Sequence, residues 1–401
     1  MLGTALFAQS PRAPHAAPRT LSVYLITVGE GAQIWEKFGH NSLWFRDSAA
    51  RIDEAYNWGT FDFKAPDFVW RFVTGDTKYW VDMYPSGRRV IEFFAVDQHR
   101  SVDVQLLNLT DAQAHKALDL ARQNALPANK FYRYDYFLDN CSTRVRDLLD
   151  SALDGALKSA TQDVTYHSFR SEAVRLTDDL GFAQFGITSA LGRPADRPIT
   201  RWEDAFVPMR LRDIVRTIRV PGDGGTRSLV AEERNLYTAA DHAERKDDPS
   251  IWIIPLVIGL VIAADLFGIG IIGLRTRVVD VAFHAEVVLW SLATGVVGAA
   301  ILFAWMFTRH AFWANNENLL VMNPLSLWLA LLALLSVRNK RWLRPAAITA
   351  ALLALCSAAA LVLHGIPGAG QDNVAVLALT VPAHFAAAFG LWRRHMAIAA
   401  G

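Results

Sequence analysis

Five long apolar stretches near the C-terminus constrain this chain more than any other feature. A helix crosses a hydrocarbon core with about 20 mostly apolar residues. Residues 251–274, 281–307, 318–337, 346–366 and 374–392 each meet that requirement. The breaks between them alternate in character. Arg275 and Arg277 mark the first, Arg338, Lys340, Arg341 and Arg344 the third, and Arg393 and Arg394 follow the last. The second and fourth, TRHAFWANNEN and HGIPGAGQDN, are poorer in base. Basic short loops stay in the cytoplasm, so the chain is expected to cross a membrane five times. That places residues 1–250 outside and the tail 393–401 in the cytoplasm. Asp265, His284, Glu286 and His384 interrupt the spans and are functional candidates by location, although His284 and Glu286 lie near the entry of their span, where interfacial solvation is the plainer account.

At 401 residues the chain should hold two folding units. Residues 20–220 read as a soluble α+β domain with charges of both signs, and residues 221–250 as a polar connector. The first 19 residues carry a short apolar patch without a basic start, and read as a signal-sequence remnant or a disordered arm. A net charge of +1 gives no reason to propose nucleic acid. There are two cysteines, Cys141 and Cys356, and the second falls inside a span. Cys141 is therefore expected to be a lone thiol in an exported domain, a feature worth testing for chemistry.

Local patterns place that thiol. LSVYLITVG reads as a strand, AQIWEKFG as a short amphipathic turn, and HNSLWFRD and IDEAYNWG as a hairpin about DSAAR. A turn centred at Ser48–Ala49 sets His40 opposite Asn57, where paired side chains share one face. A slip of one residue would bring Tyr56 or Trp58 there instead. KYWVDMY and RRVIEFFAV read as a second hairpin about Pro85–Gly87, and Thr110 as the N-cap of a helix running to about Leu126. In FYRYDYFLDNCSTRVRDLLDSAL, Asp139 and Asn140 are good cap types, and apolar residues recur at Val145, Leu148 and Leu149. Cys141 then sits in the first helical turn, facing inward.

A helix N-terminus and a nearby imidazolium both favour a thiolate, and the free amides there suit an oxyanion. Cys141, His40 and Asn57 thus form a candidate Cys–His–polar catalytic set. The plain alternative makes Cys141 a small core residue and His40 a structural histidine. A metal site finds no ligand spacing among His40, His99, His115 and His167, and no cofactor is implied. Weaker substrate-binding candidates are Asn140, Tyr134, Tyr136 and Arg144 near the cysteine, and His310, Asn316 and Asn318 in the aromatic, Asn-rich second break.

TVGEGAQIWEKFGHNSLWF, YNWGTFDF, FYRYDYFLDNCSTRVRDLL and LGRPADRPITRWEDAFVP resemble successive motifs of the Lnb N-terminal periplasmic domain family, over roughly residues 20–220. HAFWANNENLLVMNPL resembles the membrane part of its longer members. The resemblance implies a permuted papain-like, NlpC-like fold, and lipoprotein N-acyltransferase chemistry with Cys141 as nucleophile and His40 as base. It also implies a bacterial inner membrane with residues 1–250 in the periplasm, and as substrates a membrane phospholipid and the lipidated N-terminal cysteine of bacterial lipoproteins. Asn57 as orienting residue follows from the hairpin register, not from the family. A cysteine hydrolase of lipids or peptidoglycan peptides, and a non-enzymatic membrane-anchored binding protein, stay open as alternatives. Nothing in the sequence fixes the oligomeric state.

Overall fold

A computed structural model describes residues 20–222, 225–241, 251–272 and 276–400. The N-terminal arm 1–19 and the connector stretch 242–250 lie outside the described residues.

The N-terminal unit is built on a seven-stranded antiparallel sheet. Its strands are β1 (Ser22–Val28), β2 (His40–Asp47), β3 (Ile52–Thr60), β4 (Lys78–Tyr84), β5 (Val102–Leu107), β6 (Phe131–Arg133) and β7 (Val230–Tyr237). Their spatial order is β7-β5-β1-β2-β3-β4-β6. Side chains alternate across a strand, and both faces of this sheet are covered. Leu25, Leu43, Phe45, Tyr56 and Trp58 point to one face. There they meet α3 (Asp111–Ala125), α4 (Cys141–Ala152) and α7 (Pro208–Thr217). Ile26, Trp44, Ala55 and Val104 point to the other and meet α2 (Gly87–Glu92) and the π turn Phe93–Asp97. Two buried layers thus clamp the strands that carry His40 and Asn57.

Two expectations change here. RRVIEFFAV is helical rather than a returning strand, because Ser86 caps it by accepting from the Arg88 amide, and Val90 and Phe94 turn inward together. A Cβ at Gly87 would collide with the Trp44 ring, so this close approach requires glycine. The connector begins later than residue 221. Val230–Tyr237 pairs with β5 as an edge strand, and Arg219–Gly222 with Gly225–Ser228 forms a small hairpin. Its charges read as linker, yet they also suit a solvent-facing edge.

The C-terminal unit has five helical segments long and apolar enough to cross a membrane. They are carried by α8 (Ile253–Ile272), α9 (Arg277–Phe307), the stretch Ala311–Arg338 that ends in α10 (Leu325–Arg338), α11 (Leu343–Gly365) and α12 (Val374–Ala400). Regular α-helix in the third covers less than 318–337, since Glu317–Leu320 is a 3-10 turn and Pro324 sets the start of α10. The last runs beyond residue 392, so 393–400 continue the helix rather than forming a separate tail.

Two further helices, α5 (Phe169–Leu176) and α6 (Gly181–Ala190), pack against the membrane unit, Phe169 with Phe312 and Phe185 with the cluster of Ile301 and Val376. The α9–α10 and α11–α12 loops both contact the N-terminal domain. Gly192 and Arg193 donate backbone hydrogen bonds to Phe312 and Asn315 at 2.7 and 3.3 Å. The Gln371 amide reaches the Leu191 carbonyl at 3.0 Å. Phe312 is buried among Phe137, Phe169 and Phe206. The two units share a packed, hydrogen-bonded joint.

Candidate active site

Asn140 starts α4. Its Oδ1 accepts from the Ser142 and Thr143 amides at 2.8 and 2.9 Å, while Thr143 Oγ1 accepts from the Asn140 amide at 2.8 Å. This reciprocal box fixes the first turn and with it Cys141. The amides of Asn41 and Ser142 point at the sulfur. Asn41 also ties the strand to the helix, donating to Ser142 Oγ at 3.0 Å.

His40 opens β2 and reaches Asn57 on β3, with Nε2 and Oδ1 2.5 Å apart. The residue directly opposite Asn57 is Ser42, not His40. The register therefore lies two residues from the expected one, and a shift of two keeps the same face. Ser42 Oγ donates to the same Asn57 oxygen at 2.7 Å. With that oxygen as acceptor, the imidazole carries its proton on Nε2 and leaves Nδ1 as the free base.

Gly59 brings the thiol and the imidazole to one neighbourhood. Its φ is +96°, and a Cβ there would lie 3.4 Å from Cys141 Cβ and 3.8 Å from His40 Cε1. One methyl-sized space at Gly59 thus borders both side chains. Phe94 backs the imidazole at 5.3 Å between ring centroids. The buried Arg100 donates to the Gly29 carbonyl at 2.8 and 3.1 Å and sets a positive charge beside both groups.

Electrostatically the pair rests neutral. Burial pushes the Cys141 thiol up to about 11, outweighing the amides and Arg100 that favour the thiolate. Burial likewise holds His40 down to about 4, against the raising effect of Asn57. The helix terminus alone does not ionise the cysteine, contrary to the simple expectation. For such a neutral pair to act as nucleophile and general base, proton transfer from Sγ to Nδ1 would have to accompany attack.

The weaker candidates take other roles. Asn140 spends its Nδ2 on the Tyr136 and Phe206 carbonyls at 2.9 and 3.0 Å, so it is wholly a cap. Arg144 pairs with Asp139 through Nε and Nη2 at 2.5 and 2.7 Å and stacks over Tyr132, so its charge is already partnered. Tyr134 stacks on Tyr79 at 4.1 Å beside the core that Cys141 joins. Tyr136 faces His310 and Phe312 in the joint. His310 Nε2 donates to the Phe72 carbonyl, 3.0 Å away. Asn316 donates to the Ser189 and Ala190 carbonyls at 2.9 Å each, and Asn318 to Ser189 at 2.9 Å. Both are buried. These residues, expected at a substrate site, instead pin the domain to the membrane unit. Sequence reading missed Arg100, Gly59 and Ser42. The glycine of NWG was the one available signal, since a glycine ending a strand often marks close approach.

A second polar cluster lies apart. His167, Glu172 and Asp204 offer atoms within 4.8 Å of one another. Arg175 and Arg210 bind Glu172 at 2.6 and 2.7 Å, and His167 Nδ1 meets Asp204 at 2.9 Å. Two guanidinium groups already balance the carboxylates, so the set forms an ion network within the domain rather than a cation cradle. In the spans, His384 Nδ1 meets Ser357 Oγ at 2.8 Å, and His284 Nδ1 meets the Asp280 carbonyl at 2.7 Å.

Comparison with protein-family models matches residues 13–172 to the Lnb N-terminal periplasmic domain and residues 246–394 to the Lnb transmembrane domain. Searches of curated proteins and of solved structures returned no match. With both halves matched in order, the chain belongs to the Lnb-type family: a periplasmic N-terminal domain joined to a five-helix integral membrane unit.

Proposed function

We propose that this protein is a lipoprotein N-acyltransferase of the bacterial inner membrane, working through a thioester on Cys141. The observation that carries the reading is the Cys141–Gly59–His40–Asn57 geometry, set in a domain pinned to a membrane bundle. His40 Nδ1 takes the thiol proton as Sγ attacks an ester carbonyl of a phospholipid. The C–S bond forms and the C–O bond breaks. His40 returns the proton to the departing lysolipid oxygen. The α-amine of a lipidated N-terminal cysteine then attacks the thioester. The C–N bond forms, the C–S bond breaks, and the amine's proton passes through His40 to the thiolate. The Asn41 and Ser142 amides and the charge of Arg100 favour the negative oxygen and sulfur along this path. Asn57 holds the imidazole in its productive tautomer.

The order His40, Asn57, Cys141 along a sheet followed by a helix supports a permuted papain-like arrangement. The basic breaks between spans support a cytoplasmic C-terminus. They lie at the bundle end away from the loops that touch the N-terminal domain. A joint so firmly built fits substrates that both reside in the bilayer, whereas a soluble peptide substrate gives no reason for it.

The test is the intact mass of a reporter lipoprotein's N-terminal peptide from cells lacking other N-acylation. The cells carry wild type, Cys141→Ser or His40→Ala protein at equal abundance. One added acyl group with wild type, absent with both variants, is expected. Unchanged peptide mass with wild type removes lipoprotein acylation and turns attention to hydrolysis.

A further inference from the structure

The short helix α1 (Phe68–Thr74) does not resemble the surface of a water-exposed domain. None of its residues is buried, yet Val69, Trp70, Phe72 and Val73 are 74, 64, 57 and 43 % exposed. Trp35 and Phe63, each 51 % exposed, extend the patch, with Trp35 against Phe63 at 4.9 Å and Phe63 against Phe68 at 5.0 Å. Contiguous apolar surface of this kind marks an interaction site.

The position of α1 says what covers it. The Arg309 amide donates to the Thr74 carbonyl at 2.9 Å, Arg309 pairs with Asp76 at 3.1 Å, and His310 meets the Phe72 carbonyl at 3.0 Å. The spanning helix α9 ends at Phe307, two residues earlier. The helix α1 is therefore fixed at the end of a spanning helix. Trp and Phe on a short helix at that depth suit the boundary between headgroups and acyl chains.

An aromatic row leads inward from it. Phe68 stacks on Phe61 at 6.0 Å, Phe61 on Tyr79 at 4.8 Å and Tyr79 on Tyr134 at 4.1 Å. Tyr79 and Tyr134 pack on the same core as Cys141, and Phe61 follows two residues after Gly59. We propose that α1, with Trp35 and Phe63, inserts into the periplasmic leaflet, and that the row Phe68–Phe61–Tyr79–Tyr134 guides a lipid acyl chain to Cys141. Apolar walls make no hydrogen-bonding demand that a hydrocarbon chain cannot meet. The insertion stands on geometry alone, and the path rests on the acyl-transfer reading.

The experiment uses the full chain with Cys141→Ser and Cys356→Ser in phosphatidylethanolamine/phosphatidylglycerol vesicles. One new cysteine, Val69→Cys or Ala49→Cys, carries an NBD dye. Ala49 is exposed in the β2–β3 turn, at the far end of the strand from His40. Lipid bearing a doxyl group high on its acyl chain is expected to quench the dye at 69 at least threefold more than at 49. Equal quenching overturns the insertion. With both native cysteines present, Val69→Asp/Trp70→Asp is expected to cut Cys141 acylation from vesicle phospholipid at least tenfold more than acylation from a water-soluble short-chain thioester. Equal loss from both donors, or loss from neither, overturns the path. A wild-type protein acylated by no donor refutes the transferase reading instead, while the quenching result still decides insertion.

Discussion

Replacing Gly59 by alanine probes the gap on which the proposed chemistry depends. At φ +96° an L side chain is strained, at about 1–3 kcal/mol for such backbone conformations. For a domain of this size each kcal/mol moves the midpoint by about 2–4 °C, so a loss of several degrees is expected. The new methyl would also stand 3.4 Å from Cys141 Cβ and 3.8 Å from His40 Cε1, in the space a reacting carbonyl needs. Displacements near 1 Å cost about 100-fold in rate, and a loss of that order in Cys141 acylation is expected. Gly155 supplies the control. Its φ is +84°, yet a Cβ there meets nothing within 4 Å. Gly155→Ala should destabilise comparably and leave acylation intact. The assay is single-turnover acylation of protein in vesicles, read by mass, alongside thermal melting of both variants. Wild-type rates in Gly59→Ala, or equal rate losses in both variants, would refute the reasoning.

Other consequences follow from the same geometry. Raising the thiol from 9.0 to about 11 lowers its thiolate fraction near pH 7 by about 100-fold, because the neutral form is the one favoured. Iodoacetamide should therefore modify Cys141 slowly at pH 7, with a rate climbing about tenfold per pH unit toward pH 10. A plateau between pH 6 and 8 would reveal a standing ion pair instead. His40, held near 4, stays an unprotonated base above about pH 5, so acylation should fall only on more acidic titration. Asn57→Ala strips the acceptor from His40 Nε2 and Ser42 Oγ. A lost buried partner costs about 1–3 kcal/mol, so acylation should drop about 10- to 100-fold; an unchanged rate would deny Asn57 its positioning role. Asn316→Ala removes two hydrogen bonds of the joint. Amide exchange at Gly192 and Arg193 should then quicken about fivefold or more, and unaltered exchange would show the joint held by other contacts.

Much of this architecture was legible in the chain, for identifiable reasons. Spans announce themselves because lipid demands continuous apolar helix, and Thr110 and Asn140 reveal helix starts through capping chemistry that is local. His40 and Asn57 were paired correctly although the register was not, since a two-residue shift preserves the strand face. RRVIEFFAV was misread because a short apolar run fits helix and strand alike, and Trp44 beneath Gly87 is a distant neighbour in sequence. Asn316 and Asn318 look like substrate ligands until Ser189 and Ala190 appear opposite them, offering only backbone carbonyls that no sequence pattern displays. Arg100 was silent for the same reason, as its contacts with Gly29 and Phe94 exist only in the folded domain.

The most direct measurement is the mass of the Cys141 peptide after purified protein meets phospholipid vesicles without an amine acceptor. Acid quenching and proteolysis should yield that peptide carrying one fatty acyl group, released by neutral hydroxylamine and missing in His40→Ala. A Cys141 peptide of unmodified mass, or an acyl group found on Cys356 instead, would contradict the thioester at the centre of this account.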